Sequence, residues 1–346
     1  MKIEIHSPTI RRKEMAAVLT VMVEDRIGPG EQAKLLVQTA REKIKFDFCL
    51  SLRSPVIALF LALKSLGLEK GRGVLISALA PLYYSRVIED LGLIPQYCDV
   101  MPSTTCMSRE TIERAIASAP QGMGCIVLHH TLGYIPNRAE IAELGLPIIE
   151  DNSQSYGSLA GADETGGAES STENFAVFSI LGLEERDVLT SGGGALLYSF
   201  NRRDAALLRN LGDLPSEYGL PDMNAALAVV QFREAAKNQS KRREIAGLYT
   251  QSAMRTRHKR FIYEDSEYNY YAFPLILETG LNDVKTYAKR KEIAVESAFE
   301  NTLAVAVSEK CPEAYSLSLR TVLFPIYPML GLTSAGKVAR LIQTLP

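Results

Sequence analysis

Apolar positions recur at helical spacing from about Met15 to Ile44, interrupted at Gly28-Pro29-Gly30, a strong turn signal. Ser54 to Leu66 reads as a buried helix, with Pro55 tolerated because it falls in the first turn. Gly71-Arg72-Gly73 then leads into Val74-Leu75-Ile76, a short apolar strand, and a helix from about Pro81 to Leu91 stops at Gly92. Strand character follows at Ile94 to Val100. A helix opens at Ser108, whose hydroxyl is placed to cap it, with Glu110 in the first turn. Cys125 to His129 and Pro147 to Glu150 are strands flanking a short helix at Arg138 to Leu144; Phe175 to Ile180 and Ala195 to Ser199 are further strands. Such alternation predicts an α/β protein with a mostly parallel sheet covered on both faces. Right-handed crossovers would collect any ligand along one edge of that sheet.

Beyond a helix at about Pro221 to Gln239 the character changes. Arg242 to Met254 is helical and charged, Tyr268 to Leu277 an aromatic strand, and Asn282 to Lys291 a helix. Val322 to Leu341 holds a Pro-rich turn and a final helix. The pattern divides the chain into a large domain, 1–239, and a smaller C-terminal α/β domain, 240–346. Gly161 to Thr172 is the most loop-like segment.

Composition narrows the function classes. Of 346 residues, 47% are apolar and 23% charged, ordinary values for a soluble enzyme-sized protein. Lys and Arg total 38 against 40 acidic residues, so charge points to neither a nucleic-acid nor a membrane partner. The basic run Arg255 to Arg260 reads as a solvated helix end or loop, with an anion site as the alternative. Five scattered cysteines without a Cys-x-x-Cys pair suggest buried, reduced thiols and no metal site. The first residues lack a signal-peptide core, and the longest apolar run, Val56 to Leu63, is too short to cross a bilayer. The expectation is a cytoplasmic protein.

Two segments carry candidate chemistry. In Ile148 to Gly157 a strand delivers Asp151 at its C-terminal end, where a carboxylate could pair with a protonated ring nitrogen. Taken alone, such an Asp also serves as a turn or cap residue. In Ala176 to Ile180, followed by Thr190 to Ala195, a strand-end serine and the triple glycine Gly192-Gly193-Gly194 could cradle an anion. The same glycines could simply turn the chain.

Together with Ala58 to Leu68, Leu128-His129-His130-Thr131-Leu132-Gly133, Ala225 to Phe232 and Leu323 to Pro328, these segments resemble the DegT/DnrJ/EryC1/StrS sugar aminotransferases. Six segments in the family's order carry the resemblance, over nearly the whole chain. It implies the three-layer fold of the fold-type I pyridoxal-phosphate (PLP) transferases, a homodimer, and nucleotide-sugar ligands in polysaccharide or antibiotic pathways. Carried over by position, Asp151 falls on the partner of the cofactor's pyridine nitrogen. Gln154 falls beside the ring hydroxyl, Ser179 on a phosphate contact, and Ser54 at the start of the phosphate-binding Ser-Gly-Thr.

The departures are as telling. Pro55 and Val56 replace the Gly-Thr, so a backbone N–H and a hydroxyl are both lost. Pro81 stands where an aromatic ring stacks on the cofactor, and Glu217 near a phosphate-binding asparagine. No lysine occurs between Lys70 and Lys237. The family's Schiff-base lysine falls at Glu184, Glu185 or Arg186, and an amine there is what the covalent chemistry requires. A carboxylate at that place repels a cofactor phosphate by about 1 kcal/mol at 4 Å even in water, although Arg186 could offset this.

Three functions follow from the resemblance. The first is a non-transaminating pseudoenzyme serving as a ligand-binding or partner subunit, possessing no certain catalytic residue. The second is an enzyme that holds PLP, pyridoxamine phosphate (PMP) or a sugar nucleotide non-covalently, dehydratase-like, with Glu184 or Glu185 as acid and base. The third, ordinary transamination, would need Lys237 or another distant lysine to reach the site.

Overall fold

The computed structural model describes residues 2–158, 174–262 and 268–346. The loop expected at Gly161 to Thr172 lies outside the described residues. In chain order the elements are α1 (Arg12–Val23), α2 (Glu31–Ile44), β1 (Phe48–Leu52), α3 (Pro55–Ser65), β2 (Gly73–Ser77), α4 (Tyr83–Asp90) and β3 (Ile94–Cys98). Then come α5 (Arg109–Ala117), β4 (Met123–His129), α6 (Arg138–Ala142), β5 (Ile148–Asp151), β6 (Phe178–Gly182), β7 (Ala195–Ser199) and α7 (Arg202–Arg209). The remainder is α8 (Asp222–Ala253), β8 (Phe273–Ile276), α9 (Leu281–Arg290), β9 (Glu296–Ser297), α10 (Pro312–Arg320), β10 (Thr321–Phe324) and α11 (Leu332–Gln343).

The large sheet runs β1-β7-β6-β5-β4-β2-β3. Its pairs from β3 through β6 are parallel, while β7 is antiparallel to both β6 and β1. The strands β2, β4, β5, β6 and β7 are buried along their whole length, as a sheet covered on both faces demands. A second sheet, β8-β10-β9, is antiparallel.

Local chemistry places the helices. Ser54 caps α3, its Oγ accepting from the Ile57 N–H at 3.3 Å, with Pro55 at the first helical position. Behind the cap, Leu59, Leu61 and Leu63 are buried to 1% or less, and each contributes on the order of 1.5–3 kcal/mol. Gly92 ends α4 at φ +73, with Leu93 N–H on the Ile88 carbonyl and Gly92 N–H on that of Glu89. That left-handed cap is why the helix stops there.

Two sequence expectations change. Phe48–Leu52 is a strand, β1, antiparallel to β7, where no strand was predicted. The helices expected on either side of residue 240 are one 32-residue helix, α8. Its first half packs with α1 and α2, and its second half places Ile245, Ala246 and Tyr249 in the core around β8 and β10. The change in character at 240 is therefore a change of partner along a continuous helix.

Candidate functional site

Asp151 closes β5 at the C-terminal edge of the large sheet and is 2% exposed. Three donors from this chain reach its carboxylate. The Tyr84 hydroxyl, from α4, donates to Oδ2, while the backbone N–H and hydroxyl of Ser153 both donate to Oδ1. His129, in register beside it on β4, holds Nδ1 3.7 Å from Oδ2, a charge contact beyond hydrogen-bond reach. Burial alone would raise the Asp151 pKa; His129 and the donors from Ser153 and Tyr84 outweigh it and hold the group at about 2.

The Ser153 hydroxyl also accepts the Gly182 N–H at 2.7 Å, tying β5 to the end of β6. Gly182 is required by what surrounds it: a Cβ there would strike the Asp187 carboxylate and stand 2.7 Å from the Ser153 Oγ. Asp187 in turn accepts the Glu184 N–H at 2.8 Å. Burial, with the charges of Asp151 and Glu184 nearby, pushes the Asp187 carboxyl well above the ordinary carboxylate range, against the pull of that N–H.

Gln154 and Ser179 part company with each other. The Gln154 Oε1 accepts the Leu132 N–H at 2.7 Å, and the side chain lines a cavity of about 190 Å³ together with Pro81, His129, Thr131, Arg186 and Tyr271. Ser179 pairs in register with Glu150 and Tyr198, whereas Asp151 pairs with Ile180. Laterally paired residues share a face of the sheet, and neighbours along a strand alternate. Ser179 is thus buried on the face opposite Asp151, with Glu150, which meets His130 at 3.0 Å and Arg138 at 3.6 Å.

The other predicted positions are equally definite. Ser54 spends its hydroxyl on capping α3, and Val56 is exposed. In the triple-glycine turn, Gly192 N–H goes to the Thr190 hydroxyl and Gly193 N–H to the Leu183 carbonyl, so these donors close the turn instead of cradling an anion. Glu184 and Glu185 are exposed and do not line this cavity; the Glu185 carbonyl accepts from His6 Nε2 at 3.0 Å. Arg186, also exposed, grips Glu296 of β9, Nη1 lying 2.8 and 3.0 Å from its two oxygens. Glu217 is exposed. Lys237 is exposed on α8 beside Glu234, away from the cavity.

Sequence reasoning missed Tyr84, Ser153 and Asp187. The only sequence signal was the pair Tyr83-Tyr84 one turn after Pro81, on a helix expected to border the sheet's ligand edge.

A seven-stranded, mostly parallel sheet with a buried acid at its C-terminal edge, joined to a smaller antiparallel sheet, is the architecture of a fold-type I PLP-dependent transferase. The chain belongs to the DegT/DnrJ/EryC1/StrS aminotransferase family, whose model matches residues 8–343. The aminotransferase TlmJ from Streptoalloteichus hindustanus shares the fold, with a TM-score of 0.86 at 19% identity, over 99% of this chain and 98% of that one. A dTDP-4-dehydro-2,3,6-trideoxy-D-glucose 4-aminotransferase from Saccharopolyspora spinosa is 25% identical over 71% of this chain and 70% of its own length. An L-glutamine:2-deoxy-scyllo-inosose aminotransferase from Streptomyces fradiae is 27% identical over 49% of this chain, and the match spans only 38% of that relative's length.

Proposed function

We propose that this chain is a non-transaminating member of its family, a ligand-binding or partner protein of nucleotide-sugar or polysaccharide biosynthesis. The observation that carries this reading is the Tyr84 hydroxyl on Asp151. The acid that the resemblance assigns to a pyridine nitrogen already receives three donors from its own chain. Around it, the Ser54 hydroxyl and the glycine-turn N–H groups are likewise engaged, and Ser179 lies on the other face. Among the described residues, no lysine lines the cavity. The residues present do not fit a Schiff-base-linked pyridoxal phosphate.

The test is titration of the purified chain with stoichiometric pyridoxal phosphate, followed by visible absorbance, borohydride reduction and peptide mapping. The expected result is no aldimine band and no stoichiometric pyridoxyl-lysine. A single lysine labelled to one equivalent would overturn the proposal.

A second reading, an enzyme acting on a non-covalently held PMP or sugar nucleotide, is favoured by one observation. The cavity keeps His129, Thr131 and Gln154 on its wall, and the buried Thr131 hydroxyl has no hydrogen-bond partner among the described residues. Glu184 and Glu185, the acids this reading would use, are exposed and off the cavity wall, and Asp187, beside Ser153, lies off that wall as well. Saturable binding of PMP without reducible linkage would favour this second reading over the first.

We also propose that the chain forms the homodimer implied by its family. Met15, Leu19 and Met22 form an exposed apolar stripe at helical spacing on α1. Light scattering at micromolar concentration should give twice the chain mass; a monomer would refute this.

A further inference from the structure

Arg242 is 7% exposed on α8, at the seam between that helix and the small sheet. Its Nη1 donates to three backbone carbonyls, those of Tyr270 at 3.4 Å, Tyr271 at 3.0 Å and Ile326 at 3.2 Å. Carbonyl dipoles orient a guanidinium but do not neutralise it, and among the described residues no carboxylate lies within ion-pair distance of it. Burying an unpaired charge is costly, so buried cations ordinarily have a counter-charge. Desolvation here draws the Arg242 pKa down to about 10, which is the signature of a cation lacking one.

A cavity of about 50 Å³ opens beside this guanidinium, lined by His6, Arg186, Tyr271 and Glu296 among others. Arg186 answers Glu296, leaving Arg242 as the uncompensated charge, with the His6 ring beside it. Burial together with the charges of Arg242 and Arg186 draws the His6 pKa down, although the Glu185 carbonyl opposes this. Such a space holds a single oxyanion group, and guanidinium is the side chain best shaped to bind one. Arg186, Tyr271, Glu296 and Leu323 belong also to the wall of the larger cavity that contains His129 and Gln154, so the two spaces adjoin.

We infer that the pocket at Arg242, Arg186 and His6 is an oxyanion site, holding the carboxylate or phosphate of a small polar metabolite whose uncharged body lies in the larger cavity. This assignment does not rest on the loss of transamination, because it concerns neither Asp151 nor a lysine. It gives the ligand a direction: anionic end toward α8, hydroxylated end toward His129 and Gln154.

The experiment is isothermal titration of the full chain with inorganic phosphate and, separately, with malonate, at matched ionic strength. One or both should bind saturably at a single site, the stronger arm identifying a phosphate or a carboxylate ligand. Arg186→Gln should weaken that binding about ten-fold or more, as loss of a charge-assisted contact does. Glu296→Gln, which frees Arg186 and removes the competing carboxylate, should tighten it several-fold. Arg242→Gln removes the central cation, and the Arg186 and Glu296 variants keep the test decisive if that chain fails to fold. Absence of saturable binding by either anion overturns the assignment, as does binding unchanged in both Arg186→Gln and Glu296→Gln.

Discussion

Tyr84→Phe isolates the contact on which the functional reading turns. The substitution keeps the ring, which is fully buried against Tyr83 and His129, and removes only the hydroxyl donating to Asp151. A hydrogen bond to a buried charged group contributes about 1.5–3 kcal/mol. The carboxylate itself sets a second scale. Held at about 2 against an ordinary 3.8, it contributes about 2 kcal/mol net of its burial, the favourable side coming from His129, Ser153 and Tyr84 in that order. Because Ser153 still donates twice in the variant, the loss should fall near 1.5 kcal/mol at pH 7. The sign with pH follows from linkage. A depressed carboxylate pKa stabilises the folded state above pH 3.8, and that stabilisation is lost as pH falls toward 2. The deficit of Tyr84→Phe should therefore shrink between pH 7 and pH 3. Urea unfolding at both pH values, read as a shift in midpoint at unchanged slope, measures it. A variant as stable as the parent at pH 7 would refute the view that Tyr84 occupies the Asp151 acceptor in solution.

Asp187→Asn should act in the opposite sense: a carboxyl whose pKa is raised on folding costs stability above its unfolded pKa, so the variant gains stability at pH 7 and loses that gain toward pH 4 in the same assay. Gly182→Ala should cost about 1–3 kcal/mol, because the added methyl meets Asp187 and Ser153, and thermal unfolding will report it. Asp222→Ala removes a carboxylate that accepts from Gly30, Gln32 and Ala33 at 2.9 to 3.1 Å and caps α2 from α8; a loss of about 1–2 kcal/mol in urea is expected. Asp99→Ala should cost about 1 kcal/mol, since that side chain accepts from Glu313 and Ala314 at the start of α10.

What the sequence could and could not reveal divides along the range of the forces. Alternating short strands and helices made the parallel sheet legible, because each element announces itself within a dozen residues. Asp151 was legible for the same reason, as an acid closing an apolar strand. The reach of Tyr84 was not, since it depends on how α4 lies over a strand 67 residues away. Ser179 shows a subtler limit. Its strand was correctly expected, but whether it faces Asp151 depends on register, and a shift of one residue reverses every side chain. Pairing with Glu150 puts it on the other face. The continuous α8 was hidden because its apolar stripe changes partners midway, and β1 because it ends just before the Ser54 cap.

Retention of Asp151 invites the inference that a cofactor is still held, and the geometry undercuts that inference. Ser153 donates to Asp151 and accepts from Gly182, so the acid anchors a bridge between β5 and β6 that holds the sheet's C-terminal edge closed. Replacing it would leave the Ser153 N–H and the Tyr84 hydroxyl buried without their acceptor, a cost of about 1–3 kcal/mol for each group. Stability alone is therefore sufficient to keep an aspartate at this position. The same reasoning does not cover Thr131, a residue of the cavity wall whose buried hydroxyl has no hydrogen-bond partner among the described residues. Asp151 thus says little about whether this pocket binds anything; the unpartnered Thr131 hydroxyl on the cavity wall and the uncompensated Arg242 are the better evidence that it does.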